Sequence, residues 1–143
     1  MFDWATQPFY TLGLTFIFAP YFVSVAVEYF FNIGQNQASA EVSAQSMWAW
    51  GQTIAGIIVA FLGLLAGAYA SMGRRMPWLW ATSIIFIICT WMLWYMVPDG
   101  SNMWSSLILF SIAFVAAELA LVFTNAILPT LGGRNIVGQI SAN

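Results

Sequence analysis

Glu118 is the residue of this sequence best placed to do chemistry. It falls near the middle of a long apolar stretch, where an ionisable side chain is costly and ordinarily functional. Asn125 follows seven residues on, about two helical turns, so both side chains point the same way. The two could bind a polar substrate or pass a proton. They could equally form a structural hydrogen-bonding pair facing another helix, which is the preferred reading for so short a chain. Glu28, Tyr21 and Asn32 share one side of an earlier apolar stretch, with Glu28 close enough to its end to reach water. The chain has no histidine, which removes the commonest metal ligand, the usual haem or chlorophyll axial ligand and the commonest general base. Its one cysteine, Cys89, lies inside an apolar run and has no second thiol to pair with. Seven methionines and twelve phenylalanines are scattered without a repeat. No metal cluster, phosphate-binding loop or nucleophile–base pair can be read, so the expectation is a protein that is not an enzyme, with no metal and no required cofactor.

These residues sit in a chain built for lipid. Of its 143 residues 62% are hydrophobic and 6% charged, whereas soluble domains carry about a quarter charged residues. The mean hydropathy is +0.84, too high for a water-soluble globule and consistent only with an integral membrane protein. Eight scattered charges leave no electrostatic footprint for nucleic acid. The pattern predicts an all-α fold, one domain over 1–143, with spans at about 8–31, 48–70, 77–96 and 104–128. The first opens at Pro8 and carries Pro20, which predicts a kink. It is too long for a signal-peptide core and is expected to be retained. Residues 32–46 read as the longest polar loop, Ser71–Met76 as a turn, and Pro98-Asp99-Gly100-Ser101-Asn102 as a tight turn.

Orientation follows from charge. Arg74 and Arg75 lie between spans two and three, and Arg134 follows span four, all on the side of the N-terminus, while the opposite loops hold Glu41 and Asp99. The positive-inside rule puts both termini in the cytoplasm, in a bacterial inner membrane. Trp4, Trp78 and Trp80 then mark the inner boundary, and Trp48, Trp50, Trp94 and Trp104 the outer one, as interfacial anchors. Trp91 lies one turn deeper. Along span two, Gly56, Ala60, Gly63, Gly67 and Ser71 recur at near four-residue spacing and include a G-x-x-x-G. Such a row lets another backbone approach and predicts a helix-packing seam, with a partner either inside this chain or outside it.

The stretch Gly67-Ala68-Tyr69-Ala70-Ser71-Met72-Gly73-Arg74-Arg75 resembles motif A of the major facilitator superfamily, which joins the second and third helices as G-x-x-x-D-x-x-G-R-R/K. Phe2-Asp3-Trp4-Ala5 is similar to the D-W-A signature of the vacuolar amino-acid-effluxer-like branch. Phe123, Asn125, Ala126, Leu128 and Pro129 match its F-x-N-A-x-L-P pattern at the end of helix four, with an acidic residue upstream like Glu118. The resemblance implies a fold like the first four helices of such a transporter. It also implies a substrate site between two six-helix halves. Ser71 stands where the motif has an aspartate that helps latch those halves, the turn is one residue shorter, and Gly73, Arg74 and Arg75 are left as a motif remnant.

The sequence-based expectation is therefore an accessory transmembrane subunit, derived from a truncated transporter, that packs into and stabilises a larger membrane complex. A respiratory or a photosynthetic reaction-centre or light-harvesting assembly is the expected host, with lipid, quinone or pigment touched by packing alone. The alternative is part of a carrier for amino acids or other small solutes. The orientation has a direct check. In a Cys89→Ser background, Ser101→Cys is expected to react with an impermeant maleimide added to intact cells, and Gly73→Cys only after the membrane is broken; the reverse pattern would invert the topology.

Overall fold

The computed structural model describes residues 7–71 and 75–131, without the side chains of 70, 71, 75 and 128–131. Trp4, Gly73, Arg74 and Arg134 fall outside the described residues, as do the side chains of Ser71, Arg75, Leu128 and Pro129. Four helical spans follow one another, and no strand occurs among the described residues. The first span is a π-helical segment, Phe9–Phe16, continued by α1, Phe18–Asn32. Then come α2, Gln37–Ser71; α3, Arg75–Met92, extended by a 3-10 turn at Leu93–Tyr95; and α4, Met103–Leu131. All four are long and apolar enough to cross a membrane.

The irregularity in the first span has its cause in Pro20. Proline has no N–H to give the carbonyl four residues back, and its ring crowds that carbonyl. The break appears one turn earlier, at Ile17, whose N–H donates to the Leu12 carbonyl at 2.7 Å, an i→i−5 bond. In a regular α-helix Phe9 and Phe18 would be about two and a half turns apart, on opposite faces. With the wider π turns and the break between them, both rings stack on Phe110 of α4, at centroid distances of 5.2 and 4.7 Å.

The segment read as a loop at 32–46 is mostly helix. The connection shrinks to Ile33, Gly34, Gln35 and Asn36. Gly34, at φ +97°, ends α1, with the Gln35 N–H donating to the Phe30 carbonyl and the Gly34 N–H to that of Phe31, the bond pair of a Schellman motif. The Asn36 side chain at once caps α2 by accepting from the Ser39 N–H at 2.9 Å. From there Ala40, Ala44 and Met47 recur on one buried face while Gln37, Ser39, Glu41 and Gln45 stay exposed. That is an amphipathic helix in small residues, and alanine is the best helix former. The result is a helix of 35 residues, of which the first ten were expected to be loop.

The predicted turn at 98–102 is present. Asn102 holds it, accepting from the Val97 N–H at 3.0 Å and donating to the Tyr95 carbonyl at 2.7 Å. Gly100 takes φ +76°, and a Cβ there would lie 2.9 Å from that of Tyr29, so the turn is pressed against α1. The Ser101 N–H donates to Asp99 at 2.9 Å, and this bond, aided by the Ser101 hydroxyl, holds the carboxyl below its ordinary value. The bond thus supports the turn above that value and is lost as pH falls through the lowered one.

In packing, α4 is central: 39% of its most apolar stretch is buried, against 11–17% for the other spans. It contacts α2 and α3, while α1 lies on α2. Helices α2 and α3, consecutive in the chain, make at most a marginal contact. On one side of α4 the first span closes the bundle through Phe9, Phe18, Phe22, Trp48 and Phe110. Phe110 is fully buried there. Phe110→Ala is expected to lower unfolding stability in detergent by roughly 3–5 kcal/mol, the cost of a buried phenylalanine cavity, read from a helicity titration.

Candidate functional site

The side of α4 away from the first span is open. There α2 and α3 stand apart as two walls and α4 forms the floor of a groove of about 950 Å³. Trp50, Trp104, Ser43 and Ser46 lie at one end of it, and Ile58, Leu62, Ala116 and Leu119 toward the other. Its lining is almost wholly aliphatic and aromatic. Thr82, on the α3 wall, returns its hydroxyl to its own helix at the Trp78 carbonyl, 2.9 Å away, and so leaves no free polar group there.

Glu118 is half-buried on α4, inside the fourth span. It makes no hydrogen bond or ion pair with any described residue. Asn125, expected to be buried beside it, is exposed and likewise makes no such bond. The two are therefore not a closed pair: they lie along one face of α4, two turns apart, without a common partner. Helical spacing aligned them, but burial depends on what packs opposite, and none of the described helices covers Asn125. Glu28, Tyr21 and Asn32 are all exposed.

The small-residue row was expected to meet a partner either inside this chain or outside it. Gly56, Gly63 and Gly67 have nothing within 4 Å of where a Cβ would be, and Ala60 is exposed. Within this chain the row is not a seam. The internal seam runs along a neighbouring face of α2, through Ala40, Ala44, Gly51, Ala55 and Ala66. Gly51 is its tightest point: an added Cβ would meet the Leu107 side chain of α4 at 2.7 Å. Small residues recur on both faces at similar spacing, so spacing alone did not say which face packs inside the chain.

Trp48 is a second correction. It is not a boundary anchor but a half-buried packing residue, with ring centroids 5.3 Å from Phe22 and 5.2 Å from Phe110. Eleven residues of helix precede it, so it is no longer at a helix end. Trp50, Trp78, Trp80, Trp94 and Trp104 are exposed, as is Trp91. Sequence reasoning passed over Gln52, whose Nε2 is buried without a hydrogen-bond partner. An amide amid the apolar run of α2 was the available signal. Cys89 is buried beside Phe9 and Phe110. Among the described residues no group of three or more His, Cys, Asp or Glu is arranged to hold a metal.

Fold and lining together define an integral membrane protein of four apolar helices with one unfilled groove. Comparison with protein-family models, curated proteins and solved structures gave no match. The likeness to the major facilitator superfamily thus rests on the residues quoted for it.

The two faces of α2 should separate in mutagenesis. Gly51→Leu is expected to unfold the chain or shift its detergent melting by several degrees, because the branched side chain meets Leu107. Gly63→Leu is expected to leave the melting of the isolated chain unchanged. Equal effects would show that the row at Gly63 is also internal.

Proposed function

We propose that this chain is a non-catalytic accessory subunit that packs into a larger membrane complex and stabilises it. The observation that carries this reading is the groove between α2 and α3, which none of the described residues fills. In a bilayer helices are held together by close packing and not by exclusion of water, so uncovered packing surface is where a neighbour gains contact. The open row Gly56, Ala60, Gly63, Gly67 gives α2 a second such surface, on which another backbone can approach closely. A respiratory or photosynthetic assembly is the host we favour, with any lipid, quinone or pigment held by apolar contact. Placement in a bacterial inner membrane with both ends cytoplasmic is supported by Arg74, Arg75 and Arg134.

A second reading, part of a major facilitator-type carrier for amino acids or other small solutes, is favoured by one feature: a carboxyl at Glu118 within a span and without an internal partner. Mild-detergent extraction and native electrophoresis distinguish the two. The subunit reading expects co-migration with defined partner chains and their loss of stability when this chain is deleted. Migration only as a free monomer would end it. Solute uptake abolished by both gene deletion and Glu118→Gln would establish the carrier reading instead.

A further inference from the structure

Ser111, Glu118 and Asn125 recur every seven residues along α4. Residues at this spacing lie on one helix face, and the three cover about 21 Å of its length. Ser111 lines the groove, as does Val115, and Glu118 follows one turn beyond Val115 on the same face. None of the three side chains is hydrogen-bonded to a described residue. On the same helix Ser106 and Thr124 instead donate to carbonyls of α4, at 3.1 and 2.8 Å. The row is therefore a line of unused hydrogen-bonding groups beside an open apolar groove, inside the hydrocarbon.

We infer that this row is the contact line of a partner's transmembrane helix, which lies along α4 in the groove and presents a basic side chain at the depth of Glu118. The inference rests on the reading of the chain as an accessory subunit. Charge complementarity selects the occupant. Glu118 lies about 22 Å along α4 from Met103, well within the span. The basic residues of the sequence are Arg74, Arg75 and Arg134, all outside the spans, so neither this chain nor a second copy can bring a cation to that depth. Length selects a helix over a small solute: a row about 21 Å long at a seven-residue repeat matches the contact line of a helix packed at a shallow angle. Interhelical hydrogen bonds at such positions hold membrane helices together in register.

The test uses the full chain in its native membrane. A photoreactive benzoylphenylalanine is placed at Val115, on the row, and in a separate variant at Gly63, on the opposite side of α2; adducts are mapped by mass spectrometry. The Val115 adduct is expected in a transmembrane segment of a different chain, with Lys or Arg within one turn of the joined residue. Glu118→Leu is expected to lower recovery of the complex by about tenfold, the effect of one or two kcal/mol of interhelical hydrogen bonding. The isolated chain should melt as before, because Glu118 bonds to none of the described residues. Changing the partner's donor to leucine should restore recovery to the Glu118→Leu variant.

An adduct in a second copy of this chain, or in lipid alone, would overturn the inference. So would an intact complex that gives adducts from Gly63 and none from Val115; the subunit reading would then stand without it. A chain that is monomeric in every preparation would remove both.

Discussion

The packing of Phe110 is the contact on which the rest of the bundle depends. Water exclusion supplies no force between helices in a bilayer, so the four spans are held by shape and by dispersion between closely set side chains. Phe110 gathers the first span, α2 and α4 at one place: Phe9 and Phe18 stack on it, and Trp48 meets it at a tilt. Aromatic pairs of this kind add about 0.5–1.5 kcal/mol each beyond simple burial. The π-helical segment is the backbone's means of serving this node. A regular helix would carry Phe9 away from Phe110, and Pro20 makes departure from regularity inexpensive at that point. A second, smaller node joins α2, α3 and α4 at Ala66, Leu79 and Phe123.

The constraint acting everywhere else is that backbone groups in or near lipid find partners locally. At the α1–α2 connection the Schellman bonds close one helix and Asn36 opens the next within four residues. At the α3–α4 connection Asn102 bonds across the turn to Val97 and Tyr95. Several hydroxyls within the spans, Thr53 and Thr82 among them, fold back onto their own helices. Against this economy the row from Ser111 to Asn125 stands out as polar capacity left over, and the groove beside it as packing capacity left over.

Much of this was legible in the sequence. Apolar run length marked four spans, and the Pro98–Asn102 cluster marked its turn, because both depend on local composition. Gln37–Ser46 was misread because polarity was taken for loop: the segment is polar on three sides and small on the fourth, and its helical face consists of alanines that hydropathy scarcely registers. The stop and start signals, Gly34 and Asn36, were nonetheless present. The internal seam of α2 and the packing of Trp48 escaped the sequence for another reason. Spacing along one helix gives a face, but which face meets a neighbour depends on the crossing of α2 with α4, set by Gly51 against Leu107. Nothing in the local sequence ranks Gly51 above Gly63.

Helix α2, at 35 residues, is about 52 Å long, while a hydrocarbon core is about 30 Å thick. Its first turns carry exposed Gln37, Glu41 and Gln45, which do not enter lipid, yet Ala40 and Ala44 among them are fully buried by the protein's own packing. The first ten residues of α2, roughly 15 Å of helix, therefore exceed what a core of about 30 Å requires and form a stiff post at that end of the bundle. The post is continuous with a helix locked to α4 at Gly51. Any neighbour that settles on that side meets a fixed height instead of a yielding loop, so the depth at which the chain sits in the bilayer and the clearance above it are set by one rigid rod.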